Sequence, residues 1–115
     1  MELNTAQNII REFSRNNQWD DAPCIDKFDH LHEELVEMSQ HLRYHSSEER
    51  KRIIEVKHDV FVDGIGDLLF GVLRLANQVN VDAEVAFRKS AADITVRYHQ
   101  KNETAKEAAK KGIDF

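Results

Sequence analysis

An all-α fold, a four- to five-helix up-and-down bundle, is predicted by three observations. Apolar residues recur at three- and four-residue spacing, no apolar-polar alternation stands between hairpin turns, and Pro23 is the only proline. The 115 residues suit one domain, 1–115, with about 102–115 read as a frayed helical tail rich in Ala, Lys and Glu.

Ile9, Ile10 and Phe13 follow a capping-type Asn4-Thr5 and predict a short amphipathic helix that fades at Arg15-Asn16-Asn17. Turn-formers around Trp19 make Asn16–Pro23 a predicted loop. A second helix is predicted from near Asp26 to near Tyr44, burying a stripe of Phe28, Leu31, Leu35, Met38 and Leu42. Ser46-x-x-Glu49 is a capping-box pattern and opens a third helix. Its apolar members run from Ile53 to Val79, long enough that a break is expected near Val60–Gly64, where glycines begin to recur. Those glycines otherwise serve close helix contact. Asp82 is the predicted N-cap of a last helix from Ala83 to about Lys101, with Val85, Ala86, Ala92, Ile94 and Tyr98 as buried positions. Leu68, Leu69, Val72, Leu73, Leu75, Ala76 and Val79 occupy more than one helix face, so a homodimer or dimer of dimers is expected.

A net charge of -5 supplies no basic footprint for a nucleic-acid polymer. The longest apolar run, Ile65–Ala76, is interrupted by Asp67 and Arg74, and no basic-then-apolar leader opens the sequence, so a cytoplasmic protein without a membrane span is expected. Cys24 is the only cysteine, which excludes an internal disulfide or a cluster of thiols for zinc.

Two acidic patches carry the candidate chemistry. In Glu33-Glu34-x-x-Glu37, helical spacing turns Glu34 and Glu37 toward one side, with Glu33 reaching it through its i+4 relation to Glu37. Asp67 stands between Ile65 and Leu68-Leu69, an apolar setting in which an unpaired carboxylate needs a partner, and a shared cation would provide one. Asp63, four residues earlier, extends the same side. Oxygen-only ligation selects a hard cation, magnesium or manganese. As solitary features, Glu-Glu-x-x-Glu describes an ordinary solvated helix face, and Asp67 would be satisfied by a Lys or Arg.

From about Trp19 to Tyr98 the chain resembles the all-α nucleoside triphosphate pyrophosphohydrolases, the MazG-like and dimeric dUTPase-like group. The resemblance rests on His32-Glu33-Glu34-Leu35-Val36-Glu37, Gly66-Asp67-Leu68-Leu69-Phe70, Leu75-Ala76, Val81-Asp82, Arg97-Tyr98 and Trp19-Asp20. It implies four carboxylates, two per helix, holding magnesium against a nucleoside triphosphate that is hydrolysed to monophosphate and pyrophosphate. Glu34, Glu37 and Asp67 match three of the four. It further implies a water activated by Glu33 or Glu34, phosphate contacts from Lys89 and Arg97, and Trp19 stacked on the base or closed over it.

The sequence departs from that pattern at three places. Gly64 occupies the fourth ligand position, and Ala91 and Asp93 stand where the family carries Asn and Lys for substrate. Asp63 is the candidate replacement ligand, through a kink or a bridging water. The competing reading is a non-catalytic nucleotide-binding or protein-interaction bundle. A di-iron centre is disfavoured because Glu55-x-x-His58 occurs once where two copies are needed, and His41 with His45 lacks further zinc ligands.

Overall fold

The computed structural model describes residues 1–19 and 25–110. Residues 20–24, within the expected Asn16–Pro23 loop and including Asp20, and the tail 111–115 lie outside them. The described residues form five helices and no strand, in agreement with the all-α expectation: α1 Leu3–Asn16, α2 Ile25–Gln40, α3 Ser47–Val56, α4 His58–Gln78 and α5 Ala83–Lys110. They fall into two compact units, Met1–Asp82 and Ala83–Phe115.

In the first unit α4 is the common partner of α1, α2 and α3. α1 docks through Phe13, whose ring meets Phe70 edge-on at 6.2 Å, and through polar ties at the far end. There Gln7 donates to the Val81 carbonyl at 2.8 Å, Arg11 donates to Asn77 Oδ1 at 2.9 Å, and the Asn77 amide donates to the Gln7 carbonyl at 3.2 Å. α1 and α4 end alike. After α1, Gln18 takes φ 56° and the Trp19 amide returns to the Ser14 carbonyl; after α4, Asn80 takes φ 58° and the Val81 amide returns to the Ala76 carbonyl. Both are Schellman closures, which satisfy the last carbonyls of a helix through one left-handed residue.

α2 runs antiparallel to α4 in a register set by small residues. Descending α2 through His41, Met38 and Leu31 ascends α4 through Phe61, Gly64 and Gly71. The His41 and Phe61 rings meet at 6.4 Å, a Cβ at Gly64 would lie 2.7 Å from Met38 Cγ, and one at Gly71 would lie 2.6 Å from Leu31 Cδ2. Gly64 and Gly71 therefore let the Met38 and Leu31 side chains of α2 pack directly onto the α4 backbone. Gly66 faces open space within the chain.

Ser46 and Glu49 close the expected capping box at the start of α3. The Glu49 amide donates to Ser46 Oγ at 3.2 Å and the Ser46 amide to Glu49 Oε1 at 3.0 Å. Two boundaries differ from the sequence reading. The break falls at Lys57, between α3 and α4, and α4 is continuous through all three of its glycines. α2 ends at Gln40 and gives way to tight turns over 41–44 that end on Tyr44 at φ 65°. α5 continues past Lys101 to Lys110, into the stretch read as a helical tail.

Burial is sparser than the sequence pattern implies. Among the described residues only Ile10, Leu73 and Ala76 are buried apolar residues, while Phe28 and Leu35 of the α2 stripe are about half exposed. The positions expected to be buried on α5, Val85, Ala86, Ala92, Ile94 and Tyr98, are all exposed. Among the described residues α5 is the one helix of the second unit, and a single helix cannot bury its own apolar side.

Candidate functional site

Between α2 and α4 lies a cleft of about 260 Å³, lined by Glu34, Glu37 and Met38 from α2, by His41 just past its end, and by Val60, Asp63, Gly64 and Asp67 from α4. Met38 against Gly64 forms its floor. Given the antiparallel register, Glu34 and Asp67 stand at one level and His41 and Val60 at the other, with Glu37 and Asp63 between. Seven residues separate Glu34 from His41, about 10 Å along the line of α2. Four carboxylates from two distant stretches of sequence thus share one cavity.

Their charges are only partly matched. Glu34 is the least exposed, and its Oε1 lies 3.6 Å from His30 Nε2 one turn earlier. Lys27 also senses it: burial and the neighbouring Arg74 guanidinium push the Lys27 ammonium below its usual value, and Glu34 opposes that shift. Among the described residues Glu37, Asp63 and Asp67 form no ion pair or side-chain hydrogen bond. Their exposure corrects the expectation for Asp67. It opens onto the cleft instead of lying inside apolar packing, so water solvates it and burial does not demand a partner.

The donor set is chemically suited to a hard divalent ion, being oxygen-only and rich in negative charge. Among the described residues, no three His, Cys, Asp or Glu side chains are gathered into a metal-binding group, so ligation requires the carboxylates to swing inward. Gly64 is not a simple gap in the ligand set. Met38 fills the space above it, and a Glu at this position would have to displace that thioether.

The other residues singled out from sequence lie elsewhere. Glu33 is exposed and does not line the cleft. Trp19 is engaged by its own fold: the Arg74 guanidinium carbon lies 4.4 Å above its ring and Phe13 meets it edge-on at 5.0 Å. That packing makes it an anchor between α1 and α4. Lys89 and Arg97 belong to α5 in the second unit, where Arg97 Nε donates to the Asp93 backbone carbonyl at 3.5 Å. His45 pairs with Glu49 at 3.3 Å and His41 with Lys57, so the two histidines do not act as a pair, and Glu55 and His58 are split by the break at Lys57. His41 is the cleft residue whose place the sequence reading missed. The signal was available, since it continues the Glu34-Met38 side of α2 by three residues.

No family model, curated protein or solved structure matches this chain. Among the described residues, no helix is long and apolar enough to cross a membrane.

Proposed function

We propose that the first unit is a magnesium- or manganese-dependent nucleoside triphosphate pyrophosphohydrolase. The supporting observation is the shared cleft of Glu34, Glu37, Asp63 and Asp67, four acids drawn from the two motifs that resemble that family. Glu34, Glu37 and Asp67, with Asp63 in place of the absent fourth acid, would hold the ion. When bound, it neutralises phosphate charge and polarises a phosphoryl oxygen.

The chain's own groups then divide the work. Glu34, the least exposed acid and the one with an imidazole neighbour, His30 at 3.6 Å, accepts a proton from the attacking water. Water oxygen bonds to phosphorus, the anhydride bond breaks, and the products are a nucleoside monophosphate and pyrophosphate. The hydrophobic floor of Met38 and Gly64 keeps bulk water from the underside of the cleft. The reading includes a homodimer or dimer of dimers, because the first unit buries too few apolar side chains to form a full core alone.

Pyrophosphate release from a panel of nucleoside triphosphates with magnesium tests the proposal. Wild type is expected to release it and Glu37→Ala to lose activity. Asp63→Asn is expected to weaken manganese binding about as much as Asp67→Asn, on the order of tenfold each, in calorimetric titration. An Asp63→Asn variant with wild-type metal affinity would remove Asp63 from the ligand set. The second reading, a non-catalytic nucleotide-binding bundle, is favoured by the thioether over Gly64 and by Ala91 and Asp93. Tight nucleotide binding without release of pyrophosphate from any substrate would select it.

A further inference from the structure

The cleft is acidic at one end only. At the other, His41 lines the wall and its Nδ1 lies 3.3 Å from Lys57 Nζ. An ammonium donates and never accepts, so Nδ1 is the acceptor of this bond and the ring proton resides on Nε2. The imidazole is also oriented by Phe61, against which it stands at 65° between planes. His41 thus presents a fixed N–H donor, and Lys57 keeps two further N–H groups beside it. His41 lines the cleft just past the end of α2, and Lys57, at the break before α4, stands beside it outside the cleft lining.

We propose that His41 and Lys57 are the phosphate-binding end of this cleft and take the terminal phosphates of a phosphoanhydride ligand. This deepens the pyrophosphohydrolase reading and rests on it. Carboxylates alone repel a polyphosphate, even with one divalent ion among them. A neutral N–H donor and an ammonium about 10 Å along the cleft from Glu34 give the site the polarity such a ligand needs: a metal-bridged phosphate at the Glu34 and Asp67 level, a directly hydrogen-bonded one at the His41 level. The assignment replaces Lys89 and Arg97 as the phosphate contacts.

Calorimetric titration of the full chain separates the two layers. Manganese alone reports on the carboxylates. Inorganic pyrophosphate, a non-hydrolysable nucleoside triphosphate analogue and a nucleoside monophosphate, each with manganese, report on the anion end. Lys57→Gln and His41→Phe are each expected to weaken pyrophosphate and the triphosphate analogue about tenfold, with monophosphate affinity unchanged. Manganese affinity is expected to be unchanged in His41→Phe and unchanged or tighter in Lys57→Gln, which removes a neighbouring positive charge, whereas general unfolding would weaken every ligand together. Lys57 is exposed, so its variant retains the fold.

Pyrophosphate affinity equal in wild type and Lys57→Gln would overturn the proposal, as would wild type that fails to bind pyrophosphate at all. Loss confined to the nucleotide analogue would also overturn it, by showing that the pair reads the nucleoside. Wild type that binds no manganese would instead refute the carboxylate site, and a Lys57-dependent pyrophosphate affinity would then stand without it.

Discussion

Gly64 shows how one missing side chain governs two properties. Its hydrogen atom faces Met38, and Ala in its place gains about 1 kcal/mol of helix propensity but incurs an overpacking cost of about 1–3 kcal/mol. Gly64→Ala is therefore expected to destabilise the protein by about 1 kcal/mol, and Met38→Ala in that background is expected to relieve it. Urea denaturation of the four members of this double-mutant cycle measures the coupling, and simple additivity would show that the two residues do not compete for space. The same contact explains why a family-like Glu cannot simply be restored here. The sequence displayed the absent carboxylate but not its occupant, because Met38 is separated from Gly64 by a whole intervening helix.

The start of α3 was legible because both partners of its cap lie within four residues. Glu49 is held at about 2, well below its ordinary 4.5, first by the Ser46 backbone amide, then by the Ser46 hydroxyl and by His45. A depressed carboxylate contributes stability that is fully present above its unfolded value and fades as pH falls through its folded one. Helicity of α3 is thus expected to decline between about pH 4.5 and 2, with carbon-13 titration of the native Glu49 side chain centred at about 2. Ser46→Ala is expected to move that titration upward and to cost about 1 kcal/mol. A Glu49 that titrates at its ordinary value in the wild type would contradict the cap. The break at Lys57 was illegible by comparison. No proline or glycine marks it, and the glycines that suggested a break further along serve packing instead. Asp67 misled for a related reason: its neighbours Ile65 and Leu69 are themselves about half exposed, so an apolar stretch of sequence did not amount to an apolar environment.

Across the whole molecule the all-helical architecture and the shared side of each acid patch follow from spacing that the sequence displays directly; the meeting of the two patches was implied only by the family resemblance, and burial depends on what covers each face. Val62, Ile65, Leu69 and Val72 are 54, 52, 57 and 49 % exposed and recur on α4 at three- and four-residue spacing, an apolar stripe that a second copy of the chain would cover. Sedimentation equilibrium is expected to give a dimer or a dimer of dimers, and Leu69→Glu to shift the population toward monomer. A wild-type chain that sediments as a folded monomer at micromolar concentration would refute this assembly.

Because α1 and α2 both lean on α4, that helix is the keel of the first unit. α1 meets it through Phe70 and Asn77 and α2 through Gly64 and Gly71, so a defect in the keel would loosen the wall of the acid cleft and the α1 docking at once.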